Sequence, residues 1–196
     1  MSPKMGYYIV VTDTEETEKC FFNGLRDSLP DNIRKNLVIK VFNGIGTRDM
    51  IAKCIEEVEY DPQARIPWIV FDRDREVNFD RIIAKAERND INVGWSNPCF
   101  EIWMYAYLGK MPNISESKEC WKSFARAYER VTGCKYSKSD KDVYRKIYEN
   151  GDETKAIEIA SRKHIRYLEA GEGKPSKMCP ATRVYRLVSE IRNRGL

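Results

Sequence analysis

A chain of 196 residues, 42% of them hydrophobic, can build one domain with a sizeable core and is short for two full ones. Its net charge of +4 is too mild to mark a nucleic-acid binder by composition, and with a mean hydropathy of −0.60 no run approaches the about 18 apolar residues of a membrane span. Six cysteines without a CxxC pair, and His164 as the sole histidine, argue against zinc and against Ser-His-Asp or Cys-His catalysis; reduced thiols in a cytoplasmic protein are the expectation.

The opening MSPKMGYYIVVTDTEE turns acidic after a short apolar run, so no signal peptide is expected. YYIVVT, residues 7–12, reads as a buried strand. Thr14 is the expected cap of a helix carrying Phe21, Phe22, Leu25 and Leu29, with Pro30 as its stop. LVIKVF (37–42) predicts a second strand, and Thr47 an N-cap for a helix burying Met50, Ile51, Cys54, Ile55 and Val58. WIVF (68–71) is strand three, a helix over 79–89 buries Phe79, Ile82, Ile83 and Ala86, and INVGWS (91–96) is strand four. Cys20 and Cys54 fall at apolar helical positions, where buried free thiols are ordinary.

Four strands separated by helices predict an α/β fold with a mainly parallel four-stranded sheet and right-handed crossovers. Beyond residue 97 the pattern turns helical. NPCFEIWMYAYLG places Pro98 near a first turn and buries Phe100, Trp103, Met104 and Tyr107; further helices are expected near 117–131, 140–149, 153–169 and 181–193. GEGKPSKMCP (171–180) reads as a mobile loop, and His164, flanked by Arg162, Lys163 and Arg166, as a surface residue. Residues 1–110 form the expected α/β core and 111–196 a helical extension packed on it as one compact domain. Lysine and arginine gather in that later half.

The chemistry concentrates in acids. Working sites of parallel sheets lie beyond the carboxyl ends of the strands, and Asp13 follows strand one while Asp72 follows strand three. In an extended segment Asp72 and Asp74 point to the same side. Two carboxylates ~4 Å apart repel by about 4 kcal/mol at an effective dielectric of 20, so a proton, a base or a metal must offset them. Oxygen donors of this kind suit Mg²⁺ or Mn²⁺; the plain alternative is a solvated turn on which Arg73 and Arg75 pair with their neighbours. Among Asp13, Glu15, Glu16 and Glu18, some acids serve the helix's positive end, while Glu18 can reach the same edge from the first turn. Glu101, in an apolar helical segment, is either on an outer face or held inward with a partner. No GxxxxGK[ST] loop is present and FNGIGT lacks GxGxxG, which leaves metal-assisted phosphoryl transfer as the chemistry that fits.

Four stretches together resemble the RloB-like family, which includes the AbiLii abortive-infection component. They are IVVTDTEETEKCFFNGL (9–25), WIVFDRDRE (68–76), VGWSNPCFEIWMYAYLG (93–109) and KMCPATRVYRLVSEI (177–191), in order along most of the chain. SNPCFE followed by Trp is the most specific of them. The resemblance implies a Toprim-like fold, in which an acid after strand one and a DxD after strand three bind Mg²⁺. Carried over by position, the metal ligands are Asp13, Asp72 and Asp74, with Glu18 as the second acid of the first motif and Glu101 as the motif glutamate; in a nuclease built on them, Glu101 is expected to position a ligand or a base and Arg73 to contact phosphate. The implied activity is a Mg²⁺- or Mn²⁺-dependent nuclease acting on RNA (tRNA in particular) or DNA, as an effector of antiviral defence. The implied partners are nucleic acid and an ATPase of the same locus, without a membrane; a homo-oligomer is compatible. The chain departs from the family's Glu-Gly at Asp13–Thr14, an acid one methylene shorter and a residue less free than glycine. Two alternatives stand beside the nuclease: a catalytically inactive nucleic-acid- or partner-binding module, and a nucleotide-handling enzyme whose DxD holds a metal-bound phosphate.

Overall fold

The β-branched and aromatic runs form strands close to where their alternation predicts them. In the computed structural model, which describes residues 6–13, 16–35, 37–60, 66–74 and 76–194, these are β1 (Gly6–Thr12), β2 (Leu37–Phe42), β3 (Ile66–Asp72) and β4 (Asn92–Asn97). The helices between them are α1 (Glu16–Asp27), the single turn α2 (Asp31–Arg34), α3 (Met50–Tyr60) and α4 (Phe79–Glu87). The sheet order is β2-β1-β3-β4, all parallel. Alternation divides each strand between two cores: Tyr8, Val10, Trp68 and Val70 pack on one side, Tyr7, Ile9, Val11, Ile69 and Phe71 on the other. Helices cover both faces, as a parallel sheet requires.

The remaining helices are α5 (Glu101–Tyr107), α6 (Ser117–Thr132), α7 (Val143–Asn150), α8 (Glu153–Glu169) and α9 (Val184–Arg194). Every residue of α5 is buried. Its Trp103, Met104 and Tyr107 join Phe21 and Leu25 of α1, Tyr144 of α7 and Leu187 of α9 in the core on the Tyr8 face, so both halves of the chain build it. Gly24 lets α1 and α7 meet closely, since a Cβ there would stand 2.6 Å from Tyr144 Cβ.

Several expectations are corrected. The sheet has five strands rather than four: Ala181–Thr182 forms β5, antiparallel to β4, so the last helix begins at Val184 and not at 181. Two residues carry no periodicity; the Trp95 carbonyl accepts the Arg183 amide at 2.8 Å and the Thr182 hydroxyl at 2.9 Å. Pro98 lies in a bend three residues before α5, after a cis Asn97–Pro98 peptide, and its carbonyl accepts from the Asp74 amide and the Ser117 hydroxyl. Ile55 and Val58 stay more than a third exposed, because α3 buries only Met50, Ile51 and Cys54. That helix starts three residues after Thr47, which lies in the turn before it. Likewise, α1 ends at Asp27 and Pro30 leads into α2. The 171–180 segment is tied down, with the Ser176 amide donating to Asp80 and the Asn97 amide group to the Pro175 carbonyl. His164 is 4% exposed: Ala156, Ala160 and His164 form one buried stripe of α8, and the charged neighbours point outward. The cap at Thr14, and Glu15 and Arg75, lie outside the described residues.

Candidate functional site

Strand order places a topological switch point between β1 and β3. The chain leaves β1 toward β2 on one side and returns to β3 on the other, which opens a crevice at the carboxyl ends of this pair. Asp13 directly follows β1 and Asp72 closes β3. Both line one open cavity of about 520 Å³ with Asp74, Glu76 and Glu101. Residues from distant parts of the chain therefore meet at one edge.

Asp72 is the centre of this group. Its Oδ2 accepts the Phe100 amide at 2.9 Å, while its Oδ1 is sealed from solvent without a hydrogen-bond partner. Burial, then the charges of Glu18, Asp13 and Glu101, hold its carboxyl well above the ordinary carboxylate range, against the Phe100 N–H, which lowers it. Glu18, 1% exposed in the first turn of α1, is near enough to raise the Asp72 carboxyl but is not among the residues that line the cavity. Glu101, 3% exposed, is turned inward and accepts the Tyr136 hydroxyl at 2.9 Å. Tyr136 also lies 3.4 Å from the Thr17 hydroxyl, which donates to the Lys138 carbonyl, so one phenol links α1, α5 and the 133–142 segment. Burial and Glu101 raise its own pKa.

The extended Asp72–Asp74 geometry is corrected. The strand ends at Asp72, and Asp74 takes a positive φ of 23° with its amide donating to the Pro98 carbonyl, which puts its carboxyl at the exposed rim. Arg73 is not brought to the cavity. Its guanidinium donates to the Glu76 carbonyl and sits 6.0 Å from the centre of the Phe79 ring. Sequence reasoning missed Glu76, whose carboxylate accepts the Asn78 amide, and Tyr136. It also missed Lys118, Trp121 and Lys138, which line the same cavity. A tryptophan outside the apolar stripe of α6 was the available signal for these residues.

Hard carboxylate oxygens around a buried, unpartnered Asp72 Oδ1 fit a divalent cation better than any soft metal. Among the described residues, however, no three His, Cys, Asp or Glu side chains already stand where they could hold one. An ion there would have to draw the carboxylates together.

The model of the RloB-like protein family matches residues 8–191. The chain belongs to the RloB-like family. Comparison with curated proteins and with solved structures finds no match. Within this RloB-like protein, the four motif stretches fall on β1–α1, β3, β4–α5 and the β5–α9 entry, and the first three converge on the Asp72 cavity. No helix among the described residues is long and apolar enough to cross a membrane.

Proposed function

We propose that this RloB-like protein is a divalent-metal-dependent nuclease whose site is the Asp72 cavity. The observation that carries the reading is the uncompensated carboxyl of Asp72, whose second oxygen is buried without a donor among Glu18, Asp13 and Glu101. Leaving such a group unpartnered is costly unless a ligand uses it. Asp72 and Asp13 would hold the ion, with Glu18 and Asp74 as the further carboxylates available to it. When bound, Mg²⁺ or Mn²⁺ supplies Lewis-acid stabilisation of charge on the phosphodiester and acidifies a coordinated water. Glu101, steadied by Tyr136, would accept a proton from a nucleophile entering the cavity. Arg73, engaged with its own turn, receives no role. RNA, tRNA above all, is proposed as substrate by analogy with other Toprim-type effectors, and a defence setting in the cytoplasm and an ATPase partner are proposed from the family resemblance.

Titration with Mn²⁺, read by calorimetry and by electron paramagnetic resonance, tests the site directly. Binding that is lost in Asp72→Ala, together with divalent-dependent cleavage of RNA lost in the same variant, is the expected result. The lack of a preformed three-acid cluster among the described residues favours one second reading, a module that binds nucleic acid or a partner without catalysis. Nucleic-acid binding that is indifferent to Mn²⁺ and never leads to cleavage would select it.

A further inference from the structure

The cavity that holds the acids is also lined by side chains of another character. Lys118 and Trp121, three residues apart on α6 and therefore side-chain neighbours, line it, and Lys138 joins them. Trp121 stands apart from the other tryptophans: Trp68, Trp95 and Trp103 are 3%, 0% and 0% exposed, Trp121 36%. A lone exposed tryptophan is ordinary on a protein surface. One that shares a cavity with five carboxyls and two ammonium groups is placed for a ligand carrying both a ring and a negative charge. The cavity's about 520 Å³ lies within the about 300–1,000 Å³ of small-ligand sites.

We propose that Trp121 and Lys118 form the holding wall for single-stranded nucleic acid, Trp121 stacking on an unpaired base and Lys118 contacting an adjoining phosphate. Stacking requires a base face that a closed duplex does not offer, and it tolerates any sequence. The lysine offsets the repulsion that a polyanion meets on approaching the carboxylates. The strand's placement over Asp72 rests on the nuclease reading; the binding itself does not.

The test uses the full chain without divalent ions. Short ribo- and deoxyribo-oligonucleotides and a blunt duplex are titrated while tryptophan fluorescence is followed, with binding measured separately by the anisotropy of a labelled strand. Single strands are expected to quench and the duplex to leave the emission unchanged, because only Trp121 is accessible. Trp121→Ala is expected to weaken single-strand binding by about tenfold or more, with Trp121→Phe retaining most of the affinity. Lys118→Ala lowers the salt dependence, and Arg162→Ala, a basic change away from the cavity, leaves binding unchanged. Equal quenching by duplex and single strand, no quenching, or unaltered affinity in Trp121→Ala would overturn the proposal. Failure of the nuclease reading looks different: quenching persists while Mn²⁺ binding and cleavage are absent in the unsubstituted protein.

Discussion

Two carboxylates set into this fold are treated in opposite ways. Glu153, at the start of α8, accepts the hydroxyls of Tyr107 and Tyr144 at 2.8 Å each on one oxygen and the Arg192 guanidinium at 2.6 Å on the other. Four helices are pinned at that point. Asp72 receives a single backbone donor, keeps its second oxygen unpartnered, and has acids for neighbours. The fold neutralises the first group from its own resources and supplies the second with one donor alone. On the function proposed above, a structural carboxylate and a ligand-seeking one would be distinguished by their donors, not by their burial.

The largest expected effect comes from breaking the compensated site. Glu153→Ala strands Arg192 and two phenols and should cost about 3–5 kcal/mol in urea unfolding, with Mn²⁺ affinity unchanged in the fraction that folds. A loss under about 1 kcal/mol would remove Glu153 from the role of pin.

His164 sharpens the comparison from another side, since it is a buried titratable group that the fold keeps neutral. Its Nδ1 lies 3.1 Å from the Tyr185 hydroxyl and its ring packs edge-on against Trp95. Burial first, then the charges of Arg186 and Arg183, pull its pKa from 6.5 down to about 4. The unfolded chain therefore takes up a proton that the folded chain refuses. The stabilisation is whole above 6.5 and disappears as pH falls through about 4, a loss on the order of 3 kcal/mol. Urea midpoints measured from neutral to acid pH should show this decline, and His164→Gln should flatten the part that lies above the carboxylate range.

Asp13 and Asp72 were legible because strand ends are: alternation located β1 and β3, and parallel order did the rest. The orientation of Glu101 was not legible, since its donor Tyr136 is 35 residues away and follows an intervening helix. His164 was misread from its charged neighbours in sequence, although Ala156 and Ala160 already marked its stripe. The DxD was misread because extended backbone was carried past Asp72, where the chain turns at Asp74. Residues that alternate or repeat along one element announce themselves. Those defined by a partner across the fold do not.

The smallest effect is the most discriminating. Asp72→Asn keeps an oxygen for the Phe100 amide and turns the other arm into a donor toward the surrounding acids. Without divalent ions this variant should be more stable than the unsubstituted chain by about 1–2 kcal/mol, the usual sign of a site strained for function. Added Mn²⁺ should reverse the order, because binding stabilises only the chain that retains the carboxylate, by about 2.7 kcal/mol at 100 times the dissociation constant. Thermal unfolding of both proteins with and without Mn²⁺ reads the crossing. If the Asp72→Asn variant proved less stable in both conditions, Asp72 would already be compensated within the fold, as Glu153 is, and the distinction between the two carboxylates would be false.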